Sequence, residues 1–488
     1  MIAMTPSKDR YLQQSQLPWI GEFESLFPES VKLEWDHSKD KMKRLSRLLL
    51  NPPDVEVGTT PSEVVYSENK LRLIHYRPMV DNPHPVPVVL VYALINRPYI
   101  LDLQPDRSVV RRMLEEGLDV YLIDWGVPSG RDRFLTLHDY INGYMDRVVD
   151  FVRDDTGQDQ VTVFGYCMGG TMSIMYTALH PDKVKNLVVM AAGIDFSTDA
   201  GLLHVWSREN VFDVDKMVDT YGNITPDFLN GGYDFLDPVG NFYTKYLTLL
   251  DRIDDPQFVE MFFRMEKWVK DGIPLAGETF RDFLKYGYQQ NLLAKNQFPV
   301  NHVKVNLQNV SCPLLTIIGT YDHLVPAEAT RPLPELVASG DRETMEIPTG
   351  HIGLSVSSKS HRNLWPQATE WIAARSHGGP SGRPASGDEP GKATGPVDDP
   401  PKVAVEDKKT QEPETPKVRA KATSDPGGED DLTRIPGVGP ATARKLLDKG
   451  IGTVEEVAES SIKNLVKATG AAEANIRKWV KWAKDTRK

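Results

Sequence analysis

Cysteine is the scarcest chemically active residue in this chain of 488, with Cys167 and Cys312 as its two thiols. Two thiols build no disulfide framework and no thiolate zinc centre, so no metal site is expected, and they fit a reducing cytoplasm. Long apolar runs are missing as well. The longest, Val86 to Ile95, spans about ten residues and is broken by Pro87, roughly half of what a membrane-spanning helix needs. It reads as a central strand, and no membrane span is expected. Met1 to Arg10 lacks the apolar centre of a secretory signal, which predicts no export by that route. A surplus of positive charge is absent too. The formal net charge of −11 argues against bulk attraction to nucleic acid or anionic membrane, but leaves a local basic segment free to bind either.

Along the chain, five textures run over six segments. Residues 1–60 read as a helical prelude, with Lys41 to Leu50 amphipathic and stopped by Pro52-Pro53, most simply a packing helix. From 61 to 195 strands alternate with helices. The strands are Val64-Val65-Tyr66, Leu71 to Tyr76, Val88 to Ile95, Val120 to Asp124, Val161 to Phe164 and Leu187 to Met190; amphipathic stretches lie at Val109 to Glu116 and Leu137 to Val152. Such alternation predicts an α/β fold, a mostly parallel sheet covered by helices. Residues 196–308 turn aromatic and Met-rich without strong strand runs, as in Phe258 to Trp268, and predict an inserted helical cap. The sheet pattern resumes over 309–375 with Leu314 to Gly319 and a closing helix, Leu364 to Arg375. Residues 376–430 hold hardly an aliphatic or aromatic side chain and predict a disordered linker. Residues 431–488 regain apolar periodicity and form a small all-α module.

Gly165-Tyr166-Cys167-Met168-Gly169 carries the clearest chemistry. A β-branched run precedes it and a helical run, Thr171 to Leu179, follows it, so Cys167 falls on a strand-to-helix turn, a nucleophile elbow with a thiol in place of the usual hydroxyl. The turn is tight, and Gly165, Gly169 and Gly170 supply small neighbours. A thiol nucleophile needs a base, and the base an orienting acid. Asp322 follows the strand Ile317-Ile318-Gly319, and His351 sits on the Gly-flanked stretch Pro348 to Gly353. Their order, Cys167, Asp322, His351, is that of the α/β-hydrolase triad. Asp322 also suits a turn or a helix N-cap, and its case depends on His351. His323, next to it, should point elsewhere, and Cys312 reads as structural. The oxyanion hole should use the backbone N–H of Met168 and that of Leu94 or Ile95. Lys359, His361 and Arg362 follow His351 and read as ordinary surface charge; no CoA-phosphate motif is recognisable.

With these residues in place, the chain resembles the catalytic subunit of polyhydroxyalkanoate synthases, most closely the class III type that works with a second, PhaE-type subunit. The resemblance runs from about Asn51 to about 375. It rests on Asn96-Arg97-Pro98-Tyr99-Ile100-Leu101-Asp102-Leu103, Asp124-Trp125-Gly126, the elbow through Thr171, and Asp271 to Glu278. It implies Cys167 as nucleophile, His351 as base and Asp322 as acid. The implied reaction polymerises (R)-3-hydroxyacyl-CoA, typically 3-hydroxybutyryl-CoA, into polyester with release of CoA. No cofactor is then expected, since CoA is part of the substrate and a product. A homodimer or hetero-oligomer in the cytoplasm, at the surface of polyester granules, is also implied. A thioesterase or polyester depolymerase of the same fold shares the triad, and a DNA-binding scaffold is the rival of another class.

That last rival comes from the C-terminal module, which departs from the synthase pattern. Ile435 to Leu446 looks like the hairpin of a helix-hairpin-helix domain, a family that usually contacts DNA backbone. Gly437 and Gly439 would expose backbone N–H groups at a helix start, suited to a phosphate, with Arg444 and Lys445 beside them. Further basic residues, Lys449, Arg477, Lys478, Lys481, Lys484, Arg487 and Lys488, interleave with Trp479 and Trp482. Contact with DNA or with a protein partner through 431–488 is the expectation.

Overall fold

A computed structural model describes residues 29–377 and most of 432–485; the linker expected over 376–430 lies almost wholly outside the described residues. The chain divides into two compact units, 1–390 and 391–488.

In the first unit, the described residues form an eight-stranded sheet: β1 (Ser62–Glu68), β2 (Leu71–Tyr76), β3 (Val88–Val91), β4 (Val120–Asp124), β5 (Val161–Tyr166), β6 (Val184–Met190), β7 (Leu314–Gly319) and β8 (Arg342–Ile347). Their spatial order is β1-β2-β4-β3-β5-β6-β7-β8. From β4 to β8 all neighbours are parallel, whereas β1 and β2 pair antiparallel with each other and β2 antiparallel with β4. Strands β3, β4, β5 and β7 are buried at every position, as continuous Val, Leu and Ile runs covered on both faces must be. Edge strand β8 escapes the sequence reading because Arg342, Glu343 and Thr344 are exposed and polar, so it carries no apolar alternation.

Helix α1 (Glu29–Leu50) ends before Pro52, whose ring cannot continue it. Leu45 and Leu48 pack on a small cluster of Val55, Leu249, Val259 and Phe263, and Arg44 and Lys41 reach Asp254 at 3.2 and 3.3 Å. The stretch read as one helix from Leu137 opens as a π-helical run, Asp139–Met145, and continues as an α-helix, Asp146–Thr156. Residues 196–308 hold a succession of helices with one two-residue hairpin, Pro299–Val300 with Val303–Lys304.

Two of the sequence blocks that carry the family resemblance meet in space. Trp268 Nε1 donates to Arg97 O at 2.9 Å, Tyr99 Oη donates to Asp271 Oδ2 at 2.7 Å, and Ile273 N donates to Ile95 O at 3.4 Å. The cap is thereby fastened to the loop after β3. Asp102, in the same block, is buried and accepts from Thr60 N, Thr60 Oγ1 and Ser108 Oγ at 3.0, 2.6 and 2.6 Å. Ser108 in turn caps the helix Val109–Glu115 by accepting from Arg111 N. Among the described residues no helix is long and apolar enough to cross a membrane.

The second unit packs helices Pro440–Leu447, Val454–Glu459, Ile462–Thr469 and Glu473–Asp485 around Ile435, Leu446, Val457, Leu465, Ile476 and Trp479. Trp479 is therefore a core side chain, not a surface partner of the basic residues. Gly437, Gly439 and the side chain of Arg444 lie outside the described residues, while Lys445 is exposed with Nζ 3.4 Å from Thr469 O.

Asp102→Ala strips three buried donors of their acceptor and should lower the unfolding free energy by about 3 kcal/mol, read by urea denaturation.

Candidate active site

Strand β5 delivers Cys167 into a turn of unusual backbone, φ 60° and ψ −131°, before helix Met168–Leu179. A non-glycine residue holds that conformation only where the surroundings leave no alternative. Here the surroundings are closely fitted. A Cβ on Gly165 would stand 2.4 Å from Ser173 Oγ, and one on Gly169 would stand 2.2 Å from the carbonyl oxygen of Val91. The glycines let the helix start press against β3 and β5, which leaves the thiol at the end of the strand.

Asp322 follows β7 in a tight turn. Its Oδ1 accepts from Leu324 N and Val325 N, both at 2.8 Å, and its Oδ2 meets His351 Nδ1 at 2.6 Å. One carboxylate thus both closes the turn and meets the imidazole. Its side chain is fully buried and that of His351 nearly so. His351 is held from the other side by Tyr166, whose ring stacks on the imidazole with centroids 5.1 Å apart and whose hydroxyl donates to His351 O at 2.9 Å. Burial alone would depress the His351 pKa, but the charges of Asp322 and Cys167 override it and raise it well above the ordinary value. Nε2 is buried without a regular hydrogen bond, on a ring that lies within electrostatic reach of Cys167. The structure thus gathers Cys167, His351 and Asp322 at the ends of three parallel strands, an arrangement able to pass a proton from thiol to imidazole while the carboxylate fixes the ring.

A cavity of about 190 Å³ is lined in part by Cys167. Cys167, Met168 and Ile95 line it, and the cap supplies Trp206, Phe212, Phe228, Leu229, Tyr233, Phe283 and Tyr288 among others. Of the two oxyanion candidates, Ile95 faces the cavity while Leu94 is buried and does not line it. Trp206 and Phe228 line the cavity and are also 36% and 45% exposed.

Other candidates fall away from the site. His323 is exposed, and burial pushes the Cys312 thiol up to about 12, which keeps it protonated and inert. Lys359 and Arg362 are exposed as expected. His361 is not surface charge: it is buried, with Nε2 2.7 Å from Ser355 O, and burial holds it down at about 4. The sequence reading missed Tyr166, although its place inside the elbow motif was the available signal. It also missed Tyr233 and Tyr288, which no motif marks.

Fold and site make the chain an α/β-hydrolase-fold protein, and a family model described as the alpha/beta hydrolase fold matches residues 86–357. Within that class, the chain belongs to the poly(3-hydroxyalkanoate) polymerase family. A model of the poly-beta-hydroxybutyrate polymerase N-terminus matches residues 54–113. The poly(3-hydroxyalkanoate) polymerase subunit PhaC of Haloferax mediterranei is 53% identical over 333 residues, 68% of each chain. Its namesake in Haloarcula marismortui is 44% identical over 446 residues, covering 87% of this chain and 90% of that one. That of Allochromatium vinosum is 46% identical over 350 residues, 71% of this chain and 98% of that one. Residues 429–485 match a model of a SAM-like helix-hairpin-helix tandem.

Burial lowers both His204 and His361 to about 4 from an ordinary 6.5, so the folded chain binds fewer protons than the unfolded one between those values. Asp282, pushed up to about 6 by burial, acts in the opposite sense below pH 6. His351, with its raised pKa, stabilises the fold fully below its unfolded value and adds little in this window. Stability should therefore fall by roughly 1–2 kcal/mol from pH 6.5 to pH 5. Urea midpoints at the two pH values check it, and His204→Phe should make the fall shallower.

Proposed function

We propose that this chain is the catalytic subunit of a poly(3-hydroxyalkanoate) polymerase in which Cys167 carries the growing chain as a thioester. The observation that supports it most directly is the buried Cys167, His351 and Asp322 constellation beneath an apolar cavity. His351 takes the thiol proton, and the thiolate sulfur attacks the thioester carbonyl of (R)-3-hydroxyacyl-CoA, most simply 3-hydroxybutyryl-CoA. The oxyanion so formed is received by the N–H groups of Met168 and Ile95. The carbon–sulfur bond to CoA then breaks, and CoA leaves with the proton from His351. In the next step His351, oriented by Asp322, removes the proton from the 3-hydroxyl of an incoming 3-hydroxyacyl-CoA, whose oxygen attacks the Cys167 thioester. The ester bond forms as the carbon–sulfur bond to Cys167 breaks, the thiolate recovers the proton from His351, and the extended chain, now a CoA thioester, reacylates Cys167 with release of CoA. The residues and the substrate supply every group in this sequence, so no further cofactor is called for.

Hydrolysis of the Cys167 thioester is the competing reaction, and it would make the chain a thioesterase. The apolar cap disfavours water beside the thioester. A cavity of about 190 Å³ takes a short acyl group and leaves the nucleotide of CoA outside. Assembly with a second, PhaE-type subunit and residence at the surface of polyester granules in the cytoplasm belong to the same reading.

For the C-terminal unit we propose contact with the phosphates of duplex DNA. Arg477, Lys478, Lys481 and Lys484 are all exposed on the helix Glu473–Asp485, and Lys445 and Lys449 are exposed as well. A protein partner is the alternative.

Incubation with 3-hydroxybutyryl-CoA, with and without a partner subunit, should release CoA and yield polymer. Cys167→Ser should lose roughly a thousandfold of that rate, because a serine ester is a poorer acyl donor than a thioester. CoA release with free monomeric acid alone would make the chain a hydrolase. Full-length chain should shift duplex DNA at about 50 mM salt and release it near 200 mM, whereas a chain ending at residue 390 should not bind. Salt-independent behaviour would remove the DNA reading.

A further inference from the structure

The cavity over Cys167 is walled almost entirely by aliphatic and phenyl groups, which makes its few oxygen atoms conspicuous. Thr171 is one, but its hydroxyl is committed to Gly193 O at 2.9 Å. Tyr233 and Tyr288 are different. Both line the cavity with part of their surface open to it, and neither phenol hydroxyl has a hydrogen-bond partner among the described residues. Burial, and then the nearness of Cys167, opposes the ionisation of both phenols, so they remain neutral donors beside the thiol.

Tyr288 sits in the π-helical run Phe283–Gln289, a wide turn of the kind found at functional sites. Its ring is packed by Phe196, His204 and Phe283 at centroid distances of 4.7, 4.9 and 5.8 Å. Tyr233 lies near the end of the helix Pro226–Asp234, directly after Gly231 and Gly232. A hydroxyl without a partner in an apolar cavity is unfavourable. Where the cavity wall needs only a ring it has phenylalanine, as at Phe212, Phe280 and Phe283.

We propose that Tyr233 and Tyr288 bind the oxygen atoms of the acyl chain held on Cys167, and so favour acyl groups oxygenated at the third carbon over plain fatty acyl groups. This rests on the acyl-thioester reading above. A phenol donates equally well to a 3-hydroxyl and to the ester carbonyl that replaces it once the chain has grown. Two such donors give a polyester chain hydrogen-bonding sites in a wall that is otherwise mostly apolar.

The test is single-turnover CoA release by the full chain, with (R)-3-hydroxybutyryl-CoA and with butyryl-CoA, for the wild type, Tyr233→Phe, Tyr288→Phe and the double variant. Each single variant should lose about fivefold or more with the hydroxylated substrate and keep its rate with butyryl-CoA, at an unchanged melting midpoint. If butyryl-CoA does not acylate the wild type, its inhibition constant serves as the comparison. An unchanged ratio between the two acyl groups, or an equal loss with both, would overturn the proposal. Free monomeric acid as the sole wild-type product would overturn the polymerase reading while leaving the tyrosine ratio readable. No CoA release at all, with or without a partner subunit, would overturn both.

Discussion

Everything at the site depends on a backbone that a cysteine does not adopt willingly. Cys167 is held at positive φ because β5, β3 and the following helix approach too closely for any other path, and the approach itself needs Gly165 and Gly169. The sheet therefore does more than support Cys167. It stores the conformation that lifts the thiol out of the strand and directs the first helical N–H groups toward the same space. A looser packing of Val91 against Gly169 would relax the turn and dissolve both features together.

The rest of the constellation is fastened by different means. Asp322 is pinned by two backbone N–H groups before it meets His351, and the His351 loop is pinned by Tyr166. Because Tyr166 is the residue just before Cys167, Cys167 and His351 share an anchor. The charge balance follows from pairing: burial alone would strip the His351 imidazole of its proton, and the charges of Asp322 and Cys167 hold it there.

Much of this was legible in the sequence. Buried strands β3, β4, β5 and β7 announce themselves as apolar runs, and Cys167, Asp322 and His351 are marked by glycines and by their positions after strands. Strand β8 was not legible, since an edge strand with Arg342 and Glu343 outside has no periodicity to read. His361 misled because a buried neutral imidazole has no sequence signature distinct from a surface one. Tyr233 and Tyr288 were hidden for a related reason: in an aromatic cap, a phenol that lines a cavity and one that fills a core are spelled alike, and only the fold separates them.

The hydrogen bonds that join Trp268, Asp271 and Ile273 to Arg97, Tyr99 and Ile95 bear on how the molecule can move. Ile95 belongs to the segment that faces the thiol, so the cap cannot swing about its two chain connections as an independent flap. Any opening stroke must either break those bonds or drag the 95–99 segment with it. Access to the cavity and the position of Ile95 are in this sense geared together.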